Sequence, residues 1–246
     1  VYHRRRVSER IIQADNEMMQ PAVIYLHGLG SSPGSPKATL FADHFGASGF
    51  STIVPDLSLP TLRELSVFSA LEEIARVINE GASQRDIVII ASSFGGFLTL
   101  RALSGFDPSL LEKILGVALL APVLYPWHGD EPIITAAMER AWRETGVFPI
   151  EEGASGTQVL VHQRFLEELK SCAGFEPSVS VPTLVLHGVR DERVPYRHSV
   201  EFVSRNPQAR LVSLDEDHQM MSNPRALVAV VDEFVQGLTH LGGAKR

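Results

Sequence analysis

Six short apolar runs rich in β-branched residues, at 22–26, 52–54, 86–91, 114–120, 183–186 and 209–214, recur along the chain with helical patterns between most of them. Runs this short and this uniformly apolar read as strands buried on both faces, an environment that a largely parallel sheet with helices on either side supplies. The intervening segments carry the matching signal. Leu62, Leu65, Phe68, Leu71, Ile74 and Ile78 form one apolar helical stripe, and Leu227, Val230, Val231, Phe234 and Leu238 form another. Ser35-Pro36 and Asn223-Pro224 mark two helix starts, each a capping side chain followed by proline at the first helical position. The class is α/β, and with 246 residues the chain is read as a single domain, 1–246, with core to spare.

The stretch 124–179 breaks the alternation. It lies between two core strands, holds Tyr125, Trp127, Trp142, Phe148 and Phe165, and is read as a small cap inserted in the domain. Within it, 146–150 and 157–161 flank the turn-forming Glu152-Gly153-Ala154-Ser155-Gly156 and are expected to pair as a hairpin before a helix over 162–171. Residues 1–20 are left as either a preceding antiparallel strand or a trailing arm.

Charge and cysteine usage narrow the function classes. With 29 acidic against 22 basic side chains the formal charge is −7, so the chain lacks the basic footprint of a nucleic-acid binder, and Arg4-Arg5-Arg6 is too small to reverse that. The single Cys172 can close no intrachain disulfide and build no cysteine-based zinc site, which makes a reduced compartment, and hence the cytoplasm, the expected location. No apolar run reaches the roughly 18–20 residues of a membrane helix, and no apolar leader follows the first basic residues of the chain as given. The histidines are scattered, so no metal is expected, nor any other cofactor.

Chemistry concentrates at three strand ends. In Ile87 to Leu98 a buried strand runs into Ala91-Ser92-Ser93-Phe94-Gly95-Gly96 and then a helix, a bend that would expose Ser93 Oγ as a nucleophile above the sheet. Ala91 stands where the G-x-S-x-G pattern has its first glycine, a substitution a small side chain permits. A serine hydroxyl needs a histidine to take its proton and an acid to orient that histidine. Asp191 lies in the loop after the 183–186 strand, with Glu192 and the more distant Asp130 as alternatives; His218 follows the 209–214 strand, with His187, His198 and His240 as competitors. Asp191 could instead be a solvated partner of Arg190 or Arg193, and Asp215 and Asp217 read as solvated turn residues. His187 is expected at a strand end with only its backbone engaged, and His198 and His240 on helix surfaces. The order Ser93, Asp191, His218 places each residue after a separate strand at one edge of the sheet. The loop His27-Gly28-Leu29-Gly30 after the first strand offers the Leu29 N–H, which with the Phe94 N–H would hold an oxyanion; His27 is expected to brace this loop. The same glycines fail as a dinucleotide site because Pro33 stands where the third glycine belongs, and no Walker lysine follows.

These blocks resemble the α/β-hydrolase superfamily over nearly the whole chain. Tyr25 to Ala38, Ala91 to Gly96, Leu186 to Pro195 and Asp217-His218 are similar to small bacterial esterases of the YqiA type and to mitochondrial acyl-protein thioesterases of the α/β-hydrolase-domain group. The resemblance implies the α/β-hydrolase fold, with the cap between the sixth and seventh core strands. It also implies a carboxylic-ester or thioester hydrolase acting on small-molecule substrates through an acyl-enzyme, with Ser93 as nucleophile, His218 as base and Asp191 as orienting acid. From position alone, Trp127 and Phe148 of the cap are expected to contact the acyl group. A perhydrolase, a carbon–carbon bond hydrolase or a peptidase would use the same triad, and a non-catalytic ligand receptor could be built on the same fold.

Overall fold

The computed structural model describes residues 20–127, 131–153 and 156–243. Among them the chain runs β1 (Ala22–Leu26), α1 (Pro36–Ala47), β2 (Ser51–Ile53), α2 (Val67–Ala82), β3 (Ile87–Ser92), α3 (Phe94–Leu103), α4 (Pro108–Leu111), β4 (Ile114–Leu120), α5 (Ala136–Thr145), β5 (Val147–Glu152), β6 (Thr157–His162), α6 (Gln163–Ser171), β7 (Thr183–Gly188), α7 (Tyr196–Arg205), β8 (Ala209–Leu214) and α8 (Pro224–Gly243). Six strands form one sheet in the order β2-β1-β3-β4-β7-β8, every neighbouring pair parallel.

The expected runs became strands because both sheet faces are covered. One core cluster joins alternate residues Ile24, Leu26, Ile87 and Ile89 to the α2–α3 side. The other joins Val23, Tyr25, Val88 and Ile90 to α1 and α8, with Phe41, Phe45 and Val231 fully buried. Ser35 caps α1 through its Oγ and the Ala38 N–H, and the Asn223 side chain receives the Ala226 N–H at the start of α8. The apolar stripe from Leu62 begins before its helix: Leu62 and Leu65 are buried in the preceding loop, and Ser66 caps α2.

The insertion holds the expected hairpin, β5 antiparallel to β6, followed by α6. It also holds α5, which the sequence reading left unassigned; its Thr135 cap and Gly146 terminator (φ 74°) frame a helix whose only fully buried side chain is Trp142. The insertion falls between β4 and β7, the fourth and fifth strands of the described sheet. A count of sixth and seventh requires two strands ahead of Ala22, and residues 1–19, like Asp130, lie outside the described residues. Bonds to the core hold the insertion in place: Glu168 of α6 accepts from Ser66 Oγ at 2.7 Å, and the His162 N–H donates to Arg63 O at 2.9 Å. Among the described residues no helix is long and apolar enough to cross a membrane.

Candidate active site

Ser93 sits between β3 and α3 with φ 54° and ψ −120°, a conformation that L-residues rarely adopt. The bend is pinned on both sides: the Ser93 N–H donates to Leu120 O at 2.9 Å, and Ser93 O accepts from Gly96 N at 2.9 Å and Val123 N at 3.0 Å. The surrounding bonds thus hold a strained residue. Its hydroxyl makes no helix cap. It lies 3.0 Å from His218 Nε2, while His218 Nδ1 lies 2.8 Å from Asp191 Oδ2. A carboxylate oxygen only accepts, so Nδ1 carries the imidazole proton and the Nε2 lone pair faces the serine.

Two loops meet to align the acid and the histidine. Val189 N donates to Leu214 O at 2.9 Å and Arg190 N to Glu216 O at 3.0 Å, and a Cβ on Gly188 would stand 2.3 Å from Glu216 O, so only glycine permits this approach. Arg190 turns outward to Asp215, which is exposed, as is Asp217. The Asp191 side chain is fully buried, not solvated. Its Oδ1 accepts the N–H groups of Arg193 and Val194, both at 2.9 Å; its Oδ2 accepts from His218 and from His187 Nε2 at 3.1 Å. Burial pushes this carboxyl up, but the hydrogen bonds from His187, His218 and Val194 outweigh it, holding the group well below the usual carboxylate range.

His187 corrects the sequence reading, since its ring is fully buried and engaged. Nε2 is also 3.1 Å from Val194 O, an acceptor only, so the proton sits on Nε2, and Nδ1 is left to the Ser199 hydroxyl at 2.6 Å. An imidazole four residues before a loop acid, at the end of a buried strand, was the available signal. His198 is also buried, edge-on to Tyr125, and does not lie on a helix surface; His240 is exposed, as expected.

The Leu29 loop comes to the elbow because α3 presses on the end of β1. A Cβ on Gly95 would stand 2.4 Å from Leu26 O and 2.7 Å from His27 O, and one on Gly28 would stand 3.0 Å from Ser93 Cβ. His27 braces the loop: its Nδ1–H bonds Gly28 O at 3.0 Å and its Nε2 accepts the Leu57 N–H at 3.0 Å. Burial pulls its pKa down, consistent with a neutral ring in these roles. Gly95→Ala is expected to destabilise the fold by about 1–3 kcal/mol, because a backbone oxygen cannot step aside cheaply. Chemical denaturation measures this loss.

A cavity of about 260 Å³ opens beside Ser93, Leu29, Phe94 and His218 and runs into the cap. Its walls are apolar, chiefly Val123, Ile133, Met138, Trp142, Phe165 and Leu169, with Glu151 and Arg193 the charged pair lining it. Those two meet at 3.0 Å, and Gly153 N donates to Gly30 O at 2.7 Å, so the cap hairpin touches both the acid loop and the Leu29 loop. The expected contacts Trp127 and Phe148 do not line the cavity. The Trp127 indole donates to Glu139 at 2.6 Å, and Phe148 stacks behind Trp142 at 5.0 Å. Trp142, anchored by its indole N–H on Val161 O, packs on Phe165, and Phe165 packs edge-on against Phe94, the residue after Ser93. Which cap aromatics face inward depends on the packing of α5 and α6, which spacing along the chain does not encode. Among the described residues no cluster of His, Cys, Asp and Glu could hold a metal ion.

Comparison with known proteins agrees with this architecture. Mitochondrial palmitoyl-protein thioesterase ABHD10 of Mus musculus is 23% identical over 233 residues, covering 89% of this chain and 76% of that protein. Its Bos taurus counterpart is 25% identical over 235 residues, covering 89% and 74%. Among solved structures, mouse α/β-hydrolase domain-containing protein 10 superposes with a TM-score of 0.72 at 20% identity, covering 89% of this chain and 90% of that one. Est1E from Butyrivibrio proteoclasticus superposes with a TM-score of 0.64 at 18% identity, covering 92% and 90%. The fold is that of the α/β hydrolases. Residues 22–234 match the family described as Uncharacterised protein family (UPF0227), and the chain belongs to it.

Proposed function

We propose that the protein is a serine hydrolase that cleaves carboxylic esters or thioesters of small to medium apolar acyl groups through an acyl-enzyme. The observation that carries this reading is the hydrogen-bonded chain from Ser93 Oγ through His218 to buried Asp191, opening onto an apolar cavity. In the first step Ser93 Oγ attacks the substrate carbonyl while His218 Nε2 takes its proton, and Asp191 stabilises the imidazolium that forms. The Leu29 and Phe94 N–H groups, the latter at the positive end of α3, receive the developing oxyanion. His218 then protonates the departing alcohol or thiol, and water repeats the sequence to release the acid and regenerate the serine. The thioesterase name of the ABHD10 relatives supports the thioester half of this reading.

The cavity sets an expectation for substrate size. The cavity of about 260 Å³ has apolar walls that reward each added methylene until the space is filled. Across p-nitrophenyl esters of increasing chain length, kcat/KM is expected to rise to a medium chain and then fall. Leu169→Trp, which fills part of the cavity, should move that maximum to shorter chains. The direct test is a fluorophosphonate probe with the adduct located by peptide mass spectrometry. Labelling at Ser93 with ester or thioester turnover supports the proposal. A folded protein that neither labels nor turns over either substrate class overturns it and favours a ligand receptor.

A further inference from the structure

Lys37 has no explanation in the fold alone. It is the second residue of α1, only 9% exposed, and an ammonium there sits at the positive end of the helix dipole. Burying a lysine in that position is unfavourable on both counts. Its Nζ donates to Ser92 Oγ at 3.2 Å, and Ser92, itself buried, immediately precedes Ser93. The same Ser92 hydroxyl is the hydrogen-bonding neighbour of the buried Tyr25 phenol on β1. The charges that act on the ammonium are Asp191 in the loop after β7 and Glu216 and Asp217 in the loop after β8. Glu216 is buried and accepts the N–H groups of Ser222 and Asn223. Lys37 thus ties the helix that follows the Leu29 loop to the strand that ends at Ser93, and its charge is felt by the loops that carry Asp191 and His218.

We propose that Lys37 is a positioning residue of the hydrolytic centre: its ammonium anchors the elbow through Ser92 and balances the carboxylates of the Asp191 and His218 loops, keeping Ser93 in register with His218 and the Leu29 amide. This rests on the serine-hydrolase reading of Ser93. Burial lowers the Lys37 pKa from its ordinary 10.5 to about 8, with the attraction of Asp191, Asp217 and Glu216 only partly offsetting it. As pH rises past that point the amine becomes neutral and the countercharge is lost, so kcat falls. The unfolded chain still binds the proton between about 8 and 10.5, so this group's contribution to stability rises over the same window. Activity and the Lys37 contribution to stability therefore move in opposite directions, which separates the effect from alkaline unfolding.

The experiment measures kcat, KM and melting temperature from pH 6.5 to 10 with a medium-chain thioester, and fluorophosphonate labelling rates, for wild type, Lys37→Met and Lys37→Arg. In wild type an alkaline fall in kcat with a midpoint near 8 is expected. Lys37→Met should lower kcat about ten- to a hundredfold with little change in KM and lack that fall. Lys37→Arg, whose guanidinium stays charged, should keep part of the activity and also lack the fall. A folded Lys37→Met with wild-type kcat, or with the wild-type alkaline fall, overturns the proposal. If Lys37→Met does not fold, an unchanged alkaline fall in Lys37→Arg overturns it equally. Wild type that labels at Ser93 while both variants match it in rate and pH profile defeats only the Lys37 role; folded wild type that never labels or turns over defeats the hydrolase reading, and this inference with it.

Discussion

Ser93→Ala is expected to lower kcat by about five to six orders of magnitude, with fluorophosphonate labelling lost and the fold intact. The size follows from the proposed mechanism, in which the three residues work as a unit: without the Ser93 hydroxyl, His218 would have no proton to accept and Asp191 no imidazolium to stabilise. What would survive is the modest catalysis proposed for the Leu29 and Phe94 amides, acting on a water. The same position yields a second, independent readout. Ser93 is held at φ 54° by bonds to Leu120, Gly96 and Val123, and an alanine there inherits the strain, whereas glycine does not. Ser93→Gly is therefore expected to be as inactive as Ser93→Ala yet more stable than it by about 1 kcal/mol, as equilibrium denaturation would measure. Equal stabilities would mean that the elbow stores no strain; substantial turnover in either variant would mean that the chemistry does not run through Ser93.

Asp191→Asn is expected to cost about four orders of magnitude in kcat and about 2–4 kcal/mol in stability. The carboxylate accepts four N–H donors, from Arg193 and Val194 on one oxygen and from His187 and His218 on the other. An asparagine brings its own NH2 into that ring of donors. Turned toward the loop it opposes two backbone N–H groups that cannot move. Turned the other way it opposes His218 and His187, forcing His218 to surrender its Nδ1 proton and present Nε2–H to the serine, the wrong tautomer for a base. The carboxyl is held well below its ordinary range, so its stabilisation is fully present above the unfolded value of about 3.9 and is lost as pH falls toward the folded value. The stability gap between wild type and Asp191→Asn should accordingly stay constant through neutral pH and narrow below about pH 4. A gap that is constant down to pH 2 would contradict the hydrogen-bonded carboxylate described here.

Much of this arrangement is legible in the chain, for a reason tied to parallel sheets. Every strand of such a sheet ends at the same edge, so residues that follow separate strands gather there whatever their distance in sequence. Ser93, Asp191 and His218 were identifiable as strand-end residues on that ground, and the structure brings all of them within hydrogen-bond distance. Local chemistry was equally readable at Ser35-Pro36, at Asn223-Pro224 and in the hairpin around Gly153. Each is settled by a few neighbouring residues and needs no distant partner.

Tertiary structure alone decided what depends on two surfaces meeting. The ring of His187 became a donor to Asp191 because Ser199 of α7 closes over it, and no periodicity reports that encounter. Trp142 and Phe165 took the cavity wall that Trp127 and Phe148 were expected to share, because α5 and α6 rotate their apolar stripes inward and leave Trp127 to Glu139. Lys37, to which no role was assigned from the sequence, is buried with its ammonium on Ser92 at the end of β3. The sequence by itself determined the order of elements and the edge at which chemistry gathers, since both follow from local periodicity and chain connectivity. The shape of the apolar cavity and the environment of each charge were set only when helices, cap and loops packed, because burial and hydrogen bonding are properties of neighbours in space.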